Sequence, residues 1–240
     1  MTLLLAFDFD HTIVDANTDT AIYKLSPNGD IPSEVKLPYK KGQWTAYMNA
    51  VFQYLHAECD ATKDRYEEVL RMLPLTAYMV EIFQFIRQHQ ANIDFIIISD
   101  SNTWFIDIVL SQHNAKDLPI KVFTNEALFR DDGMLQMTPY HIHDHDICPY
   151  NLCKGRVMQE FIAERQLAGV SYSNIVYVGD GTNDYCPATT LSDKDMLFAR
   201  KGFSLHKKLM KLENDVLKCE VKTWESGVEI LPSLKKILES

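Results

Sequence analysis

The sequence predicts an α/β fold in which a parallel sheet is flanked by helices and a small helical cap is inserted after the first strand. Short apolar runs typical of buried strands alternate with amphipathic helical patterns, which is the arrangement expected of a parallel sheet. Residues 16–75 contain helical patterns but no strand-like run. We therefore predict a core formed by residues 1–15 and 76–240 and a cap formed by residues 16–75.

The first predicted strand ends in acidic side chains. Residues 3–7 form an apolar run long enough for a buried strand, and Asp8, Asp10 and Thr12 follow it. Carboxylates beside a core must be desolvated, which is unfavourable for stability. They are well suited to holding a divalent cation and attacking an electrophile. The alternative is a strand that runs into an acidic turn, because short motifs also match by chance.

Two helices account for most of the predicted cap. The first has an apolar face with aromatic and methionine side chains at helical spacing, and the second continues this pattern. We interpret both faces as the packing of the cap itself rather than as a ligand pocket. The residues of these faces are Trp44, Tyr47, Met48, Val51, Phe52 and Leu55 in the first helix and Tyr66, Val69, Leu70 and Leu73 in the second.

A serine and a lysine stand near the starts of two later helices. The second predicted strand, residues 95–98, runs into Ser99 and Asp100 before an amphipathic helix, whose start can donate backbone N–H groups to an anion. A serine at such a position is more often only a helix N-cap. Lys154 is at the start of another helix, where a cation interacts unfavourably with the helix dipole. Its position therefore suggests a role other than stabilising the helix. A solvated lysine is the alternative.

A glycine-rich acidic loop follows the next predicted strand. Residues 175–178 form an apolar run, and the loop at 179–184 contains Asp180 and Asp184. The ligand spacing of an EF-hand calcium loop is missing, and an apolar strand precedes the loop. The remaining predicted elements are a strand at 196–199, two short strands within residues 121–150, and two short helices with apolar faces formed by Leu205, Leu209 and Leu212 and by Ile230, Leu231, Leu234 and Leu238.

Composition and charge limit the classes of function. The 240 residues are 46% hydrophobic and 24% charged, which is ordinary for a globular protein. The net charge of -9 argues against a nucleic-acid partner, because an acidic protein cannot neutralise the many backbone phosphates of a nucleic acid. Five cysteines form no compact disulfide framework, and no signal peptide or membrane helix is predicted, so we expect a cytoplasmic location without a membrane partner. The oligomeric state is not predicted.

The polar clusters that follow these elements match a known set of motifs. Their order and contexts resemble all four motifs of the haloacid dehalogenase superfamily of phosphohydrolases, and this resemblance implies a Rossmann-like sheet with an inserted cap. Asp10 favours phosphatase or phosphotransferase chemistry, because a dehalogenase has no alkoxide to protonate and lacks this second aspartate.

The resemblance also implies a role for each of these residues. Asp8 would be the nucleophile that forms an aspartyl-phosphate, and Asp10 would protonate the leaving alkoxide and then activate water. Magnesium would neutralise the transferring oxygens, since it prefers hard oxygen ligands. The implied magnesium ligands are Asp8, the backbone carbonyl of Asp10 and Asp180; the supporting residues are Thr12 and Asp184; the residues that hold the phosphoryl oxygens are Ser99 and Lys154.

A closer resemblance extends over nearly the whole chain. Residues 7–19, 98–102, 148–154 and 178–187 look like the branch that holds the phosphoethanolamine/phosphocholine phosphatase and the related pyridoxal phosphate phosphatase. This implies a Mg²⁺-dependent phosphatase whose partner is a small phosphorylated metabolite, either pyridoxal 5′-phosphate or phosphoethanolamine/phosphocholine. A phosphatase of another small metabolite, phosphoserine-like or pyrophosphate, is the alternative.

Two further acids are assigned to the substrate by this resemblance. In that branch, the aspartates that match Asp19 and Asp100 bind the substrate. Extra carboxylates beside a dianionic phosphate are repulsive. Their presence makes sense if the leaving group carries an ammonium group or hydrogen-bond donors. The alternative is that each acid only caps a helix.

Two other functional classes remain as alternatives. A phospho-receiver module also places aspartates, a hydroxyl residue and a lysine on a parallel sheet, but it has about half this length and no helical cap. A catalytically idle relative that only binds phosphorylated ligands is disfavoured by the intact Asp8, Asp10, Lys154 and Asp180.

Histidine and cysteine residues are dense just before Lys154. His141, His143, His145, Cys148 and Cys153 lie close together, and such a density could build a tetrahedral zinc site, although the spacing fits no standard pattern. The alternative is a loop of free thiols and exposed histidines. Members of the branch carry cysteine where this chain has His145, so their C-x-x-C pair is not kept here.

Overall fold

A seven-stranded sheet runs through the computed structural model, which describes residues 2–40, 42–212 and 217–239. The strand pairings are parallel except for one antiparallel hairpin between the third and fourth strands. This arrangement confirms the predicted α/β fold. The strands are β1 (Thr2–Phe7), β2 (Ile93–Asn102), β3 (Lys121–Phe129), β4 (Leu135–Thr138), β5 (Tyr172–Gly179), β6 (Met196–Arg200) and β7 (Glu220–Trp224).

The strand order places the carboxyl ends of β1, β2 and β5 side by side. The order across the sheet is β4-β3-β2-β1-β5-β6-β7. Strands β2 to β4 therefore lie on one side of β1, and strands β5 to β7 lie on the other. Phe7 in β1 pairs with Ile97 in β2 and with Val178 in β5. Open α/β sheets bind ligands in the crevice where the strand order reverses. The segment just beyond Phe7 is therefore the expected position of a site.

Helices cover both faces of the sheet. In the described parts of the chain, no helix is long and apolar enough to cross a membrane. The helices are α1 (Thr18–Ala21), α2 (Ser33–Lys36), α3 (Trp44–Cys59), α4 (Lys63–Arg71), α5 (Met79–Gln88), α6 (Thr103–Gln112), α7 (Lys154–Leu167), α8 (Tyr185–Ala188), α9 (Ser204–Leu209) and α10 (Gly227–Glu239), with 3-10 turns at Ile22–Leu25 and Thr182–Asp184.

The apolar runs bury side chains on both faces of the sheet. In β1, Leu3, Leu5 and Phe7 belong to one hydrophobic cluster, whereas Leu4 and Ala6 belong to a second cluster on the other face. Helices α3 to α6 and α10 pack on the first cluster, and α7 and α9 pack on the second. Because successive side chains of a strand point to opposite faces, burial on both faces requires a continuous apolar run.

Helices α1 to α4 occupy the region for which a cap is predicted. The two predicted helices are confirmed as α3 and α4, and most of their apolar residues are buried in the larger cluster. The side-chain NH₂ group of Asn49 in α3 donates to the carbonyl oxygen of Met137 in β4 (2.7 Å). The Oδ1 atom of Asn49 accepts a hydrogen bond from the backbone N–H of Met137 (2.8 Å). This contact covers the free edge of β4. The boundaries of the cap, residues 16–75, stay a prediction.

Three local features differ from the sequence-based expectation. Strand β7 is not predicted from the sequence: its residues are mostly exposed and only Trp224 is deeply buried, so no apolar run marks it. Strand β2 continues to Asn102, so Ser99 and Asp100 belong to the strand itself. Two helices end earlier than predicted, α9 at Leu209 and α4 at Arg71, so Leu212 and Leu73 lie beyond them.

Candidate active site

A cleft of about 680 Å³ opens beyond the carboxyl ends of β1, β2 and β5. This volume suits a small-molecule ligand. Tyr39 and Trp44 from the helical region form part of its wall, whereas Lys154, Asp184 and Thr12 are buried behind the lining. The predicted site residues that line the cleft are Asp8, Asp10, Asp19, Ser99, Asp100 and Asp180.

Asp8 lies on the floor of the cleft, one residue beyond β1. Its backbone N–H donates to the carbonyl oxygen of Val178 (2.9 Å), which extends the pairing of β1 with β5. One carboxylate oxygen accepts a hydrogen bond from the Phe9 N–H (2.6 Å) and pairs with the Lys154 ammonium (2.8 Å). Burial, followed by repulsion from Asp184, raises the pKa of Asp8, and Lys154 opposes this shift. The carboxylate is therefore fixed in orientation although it borders the cleft.

Lys154 is completely buried and joins two carboxylates. Its ammonium nitrogen lies 2.8 Å from an oxygen of Asp8 and 2.8 Å from an oxygen of Asp184. Burial disfavours the charged form, but attraction to Asp184, Asp8 and Asp100 outweighs it and raises the pKa of Lys154. The side chain is thus a permanent cation beneath the cleft. The alternative of a solvated lysine is wrong.

Asp184 organises the loop that follows β5. Its Oδ1 atom accepts hydrogen bonds from the Lys154 ammonium (2.8 Å) and the Tyr177 hydroxyl (2.7 Å). Its Oδ2 atom accepts from the backbone N–H groups of Asp180 (3.0 Å) and Gly181 (2.8 Å). Four donors therefore occupy its two oxygens, and they hold the loop in place beneath the cleft.

Asp8, Asp180 and Asp184 form a buried carboxylate group that could hold a metal ion, since one oxygen of each lies within 4.8 Å of the others. No hydrogen bond from the described residues lowers the pKa of Asp180, which burial and then repulsion from Asp184 raise to about 7. An ionised carboxylate without a partner is costly to bury. A hard divalent cation such as Mg²⁺ would offset this cost, because it prefers carboxylate oxygens. The donor set therefore fits Mg²⁺.

Asp10 faces the start of α1. Its two oxygens accept hydrogen bonds from the backbone N–H (3.1 Å) and the hydroxyl (3.2 Å) of Thr18. Burial raises the pKa of Asp10 to about 6, although both bonds from Thr18 lower it. A carboxyl group with such a pKa can hold or release a proton near neutrality. Thr12 is buried nearby in sequence, and its hydroxyl has no hydrogen-bond partner among the described residues.

Asp19 is buried in α1 with one carboxylate oxygen still unpaired. Its Oδ2 atom accepts a hydrogen bond from the indole N–H of Trp44 (2.5 Å), while Oδ1 has no partner among the described residues. Burial, followed by repulsion from Asp10, raises the pKa of Asp19 to about 8. Asn17 caps α1 by accepting a hydrogen bond from the Thr20 N–H (2.9 Å). The alternative in which Asp19 caps this helix is therefore wrong.

Asp100 joins three segments of the chain at the edge of the cleft. Its Oδ1 atom accepts a hydrogen bond from the side-chain amide of Asn151 (2.9 Å), and its Oδ2 atom accepts one from Asn183 (2.5 Å). Burial raises the pKa of Asp100. Asn102 caps α6 by accepting a hydrogen bond from the Phe105 N–H (3.0 Å). Asp100 is therefore not the cap of that helix.

Ser99 is buried in β2 and borders the cleft. Its hydroxyl oxygen accepts a hydrogen bond from the Ser101 N–H (3.1 Å), which leaves the hydroxyl proton free for an anion. Because Asn102 is the cap of α6, the interpretation of Ser99 as an N-cap is also wrong.

The side chains that hold the acids in place are not predicted from the sequence. Asn151 and Asn183 lie within the motif segments, but nothing in those segments shows that both bind Asp100. Trp44 was interpreted as cap packing, yet it lines the cleft and binds Asp19. No local pattern signals either set of contacts, since they join separate parts of the chain.

Comparison with known proteins covers nearly the whole chain. The family model described as Putative Phosphatase matches residues 3–238. The chain is 44% identical over 241 residues to the pyridoxal phosphate phosphatase of Bos taurus, with 100% of both chains covered. It is 32% identical over 240 residues to the phosphoethanolamine/phosphocholine phosphatase of Homo sapiens, which covers 99% of this chain and 90% of that protein.

Solved structures show the same fold. One described as a phospho-aspartyl intermediate analogue of phosphoserine phosphatase superposes with a TM-score of 0.64 at 17% identity. The superposition covers 97% of this chain and 98% of that chain. At this level of identity the likeness concerns the fold alone.

The raised pKa of Asp19 predicts that stability falls with rising pH. The folded chain keeps the Asp19 proton up to about pH 8, whereas the unfolded chain loses it near pH 4. The contribution to the free energy of unfolding is fully present below the unfolded pKa and is lost as pH rises toward the folded pKa. Relative to Asp19→Asn, the wild type should therefore lose about 1 kcal/mol per pH unit within this window, as measured by urea unfolding.

The control for this measurement is Asp193→Asn, which removes an exposed carboxylate from a loop. Its difference from wild type should stay constant over the same pH range. If the difference between Asp19→Asn and wild type is equally constant, Asp19 is ionised throughout and the argument from burial is wrong.

Proposed function

The chain belongs to the Putative Phosphatase family of the haloacid dehalogenase superfamily, and we propose that it is a Mg²⁺-dependent phosphatase of a small phosphomonoester. The preferred substrate in this proposal is pyridoxal 5′-phosphate. The observation that carries it is the buried cluster of Asp8, Lys154 and Asp184 beneath an open cleft. A fixed carboxylate with a permanent cation beside it is what attack on a phosphate monoester requires.

Asp8 is the proposed nucleophile. The Phe9 N–H and Lys154 hold one of its oxygens, so the carboxylate needs little reorientation before it attacks. Attack forms a bond between a carboxylate oxygen of Asp8 and phosphorus and breaks the bond between phosphorus and the leaving-group oxygen, which divides a difficult displacement into two steps. The proposed ligands of the phosphoryl oxygens are Lys154, as a cation, and Ser99, through its free hydroxyl proton.

Asp10 is the proposed acid and base. In the first step its protonated carboxyl group donates a proton to the leaving alkoxide, and Thr18 fixes its orientation. In the second step the carboxylate accepts a proton from water, whose oxygen attacks phosphorus. That attack releases inorganic phosphate and restores the carboxylate of Asp8.

The proposed ligands of Mg²⁺ are Asp8, Asp180 and the backbone carbonyl of Asp10. Asp184 supports them from below, because four hydrogen-bond donors already occupy its oxygens. When bound, the ion neutralises charge on the transferring oxygens, which a single lysine does only in part.

The proposed site of the leaving group lies between Asp19, Asp100 and the aromatic wall. Tyr39 and Trp44 line the same cleft, and their ring centroids lie 6.0 Å apart. An aromatic wall suits a flat pyridine ring. Asp19, with a pKa of about 8, is neutral at pH 7 and can donate a hydrogen bond to a ring oxygen. In this proposal residues 16–75 act as a cap that admits only small substrates.

Phosphoethanolamine and phosphocholine form the second candidate class. The unpaired oxygen of Asp19 and the nearby indole of Trp44 could bind an ammonium group through charge and cation–π contacts. Binding of such a cation would require Asp19 to be ionised, whereas binding of pyridoxal 5′-phosphate would use the neutral form of Asp19. The 44% and 32% identities to the two kinds of relative support the first candidate over the second.

A binding module without turnover is the remaining functional class. The relatives that match nearly the whole chain are phosphatases, which supports turnover over binding alone. Phosphate release from a panel of phosphomonoesters, ranked by kcat/KM, tests both turnover and substrate. A ranking led by phosphoserine would contradict the proposed substrate but not the phosphatase activity.

The variant Asp8→Asn tests the nucleophile. An amide cannot form the acyl-phosphate, so kcat should fall by roughly 10⁴-fold or more on every substrate. Phosphate release measures kcat, and circular dichroism checks that the fold is kept. If the variant keeps more than about 1% of the wild-type kcat, Asp8 is not the nucleophile.

The variant Asp10→Asn tests proton transfer in each step separately. Pyridoxal 5′-phosphate needs a protonated leaving group, so both steps should slow, and kcat should fall about 10²- to 10⁴-fold. p-Nitrophenolate leaves without a proton. With p-nitrophenyl phosphate the variant should therefore release a burst of p-nitrophenolate near the enzyme concentration and then turn over slowly. The absence of a burst in stopped-flow measurements would contradict the assignment of the second step to Asp10.

The variants Asp19→Asn and Asp100→Asn test substrate recognition. Asp19→Asn should raise KM for phosphoethanolamine about tenfold, because the charge that pairs with the ammonium group is lost, but KM for pyridoxal 5′-phosphate should change less than about twofold, because the amide still donates a hydrogen bond. Asp100→Asn should raise KM for both substrates about tenfold, because a buried contact beside the leaving group is lost. KM for p-nitrophenyl phosphate should change less than about twofold, since it lacks these polar groups. The exposed Asp193→Asn serves as the control. Equal losses on all substrates would show that the two acids act only on structure.

A further inference from the structure

Four side chains of the kind that bind zinc converge beside the first turn of α7. His145, Cys148 and Cys153 lie in the segment that precedes this helix, and Cys186 lies in α8. One nitrogen and three sulfur atoms from these residues all lie within 4.8 Å of one another. The group is separate from the carboxylates of the cleft and offers softer ligand atoms.

The distances within this group match the edges of a zinc tetrahedron. The Nδ1 atom of His145 lies 3.3 Å from the sulfur of Cys153, 3.4 Å from that of Cys148 and 3.6 Å from that of Cys186. The sulfur of Cys153 lies 3.5 Å from that of Cys148 and 3.8 Å from that of Cys186. Zinc bonds of about 2.3 Å to sulfur and about 2.0 Å to nitrogen give tetrahedral edges of about 3.8 Å and about 3.5 Å.

We propose that His145, Cys148, Cys153 and Cys186 bind one structural Zn²⁺ ion. Three thiolates and one imidazole form a Cys₃His set, which is typical of structural zinc sites and prefers zinc to magnesium. Four protein ligands complete the tetrahedron and leave no position for water or substrate. The ion would therefore stabilise the fold and take no part in phosphate hydrolysis.

The burial of the thiols agrees with a closed metal site. Cys148, Cys153 and Cys186 are 9%, 2% and 4% exposed, and they pack against one another as a cluster apart from the two hydrophobic clusters of the sheet. His145 is exposed and covers this cluster from the solvent side. A metal ion explains why three buried thiols face each other instead of apolar side chains.

His141 and His143 hold the segment in shape and do not belong to the ligand group. The Nε2 atom of His141 accepts a hydrogen bond from the Cys153 N–H (2.9 Å). The Nε2 atom of His143 lies 2.7 Å from the Pro149 carbonyl oxygen, and its Nδ1 atom accepts from the His145 N–H (3.1 Å). These contacts orient two of the proposed ligands, as the surroundings of metal sites usually do. The fourth ligand, Cys186, lies outside the segment that the sequence analysis considered.

The position of the group connects it to the active site. Cys153 immediately precedes Lys154, and Cys186 follows Asp184 by two residues. A zinc ion shared by the two cysteines would hold the start of α7 next to the acidic loop. The same two segments are joined by the ion pair between the Lys154 ammonium and an oxygen of Asp184 (2.8 Å). At Gly155, a Cβ atom would lie 2.6 Å from the Cys186 sulfur, so the absence of a side chain permits this close approach.

Elemental analysis of the full chain, purified without a metal-binding tag after expression with added zinc, tests this proposal. Wild type should contain about one zinc ion per chain after gel filtration. Cys153→Ser and Cys186→Ser should contain less than about a tenth of that. The matched controls Cys59→Ser and Cys219→Ser replace cysteines outside the group and should keep the wild-type content. Asp180→Asn should also keep it, because the ion is not held by the cleft carboxylates.

The outcomes separate the proposal from its rivals. Wild type without zinc, or with a disulfide among these thiols, would overturn it. Loss of zinc from Asp180→Asn with retention in Cys186→Ser would assign the ion to the carboxylates and overturn it equally. Activity is not the readout, so failure of the zinc proposal leaves the proposed phosphatase function untouched.

A spectroscopic measurement on wild type covers the case in which the cysteine variants do not fold. Cobalt replaces zinc in such sites and reports their geometry. The cobalt-loaded chain should show intense visible bands of tetrahedral cobalt and a near-ultraviolet charge-transfer band from thiolates. A weak octahedral spectrum without charge transfer would show that the ion lies among oxygen ligands and would overturn the proposal.

Discussion

The buried ammonium of Lys154 is the interaction on which the rest of the site depends. It contacts Asp8 and Asp184 directly, and its charge opposes the rise that burial causes in the pKa values of Asp180 and Asp100. Burial and then mutual repulsion raise the pKa values of these carboxylates, and the cation opposes that rise at Asp8, whose ionised form is the nucleophile in the proposed function. A buried ion pair contributes little net stability compared with apolar packing. The cluster is therefore better explained by anion chemistry in the cleft than by stability.

Burying a lysine at the start of a helix constrains the chain around it. The first turn of α7 must approach the acidic loop closely enough for Lys154 to reach Asp184, and Gly155 leaves room for the Cys186 sulfur at this contact. Cys153 and Cys186 lie on the two segments that meet there. The proposed zinc ion would hold both segments together without entering the cleft. A metal at this position would fix the two segments that carry Lys154 and Asp184 relative to each other.

The sequence predicts features whose signal is local, and it misses contacts between distant segments. Strands β1, β2, β5 and β6 are apolar runs because both of their faces are covered, and Asp8 lies at the end of one such run. Strand β7 lies at the edge of the sheet, so it needs no apolar run. The contact of Trp44 with Asp19 and the position of Cys186 beside the segment before α7 depend on how helices and loops pack. Neither spacing nor periodicity encodes that packing.

The acids of the cleft fall into two groups that differ in the ion-pair and hydrogen-bond partners of their carboxyl groups. Asp8 pairs with the cation Lys154, whereas Asp10 and Asp19 accept hydrogen bonds only from neutral hydroxyl, indole and backbone donors. Burial raises the pKa of all three acids; at Asp8 the adjacent Lys154 ammonium opposes this rise directly, whereas the pKa of Asp10 reaches about 6 and that of Asp19 about 8. In the proposed function Asp8 and Lys154 act on the phosphate group, which all candidate substrates share. Asp19 can match its protonation to the leaving group, so we expect discrimination between phosphomonoesters to arise there.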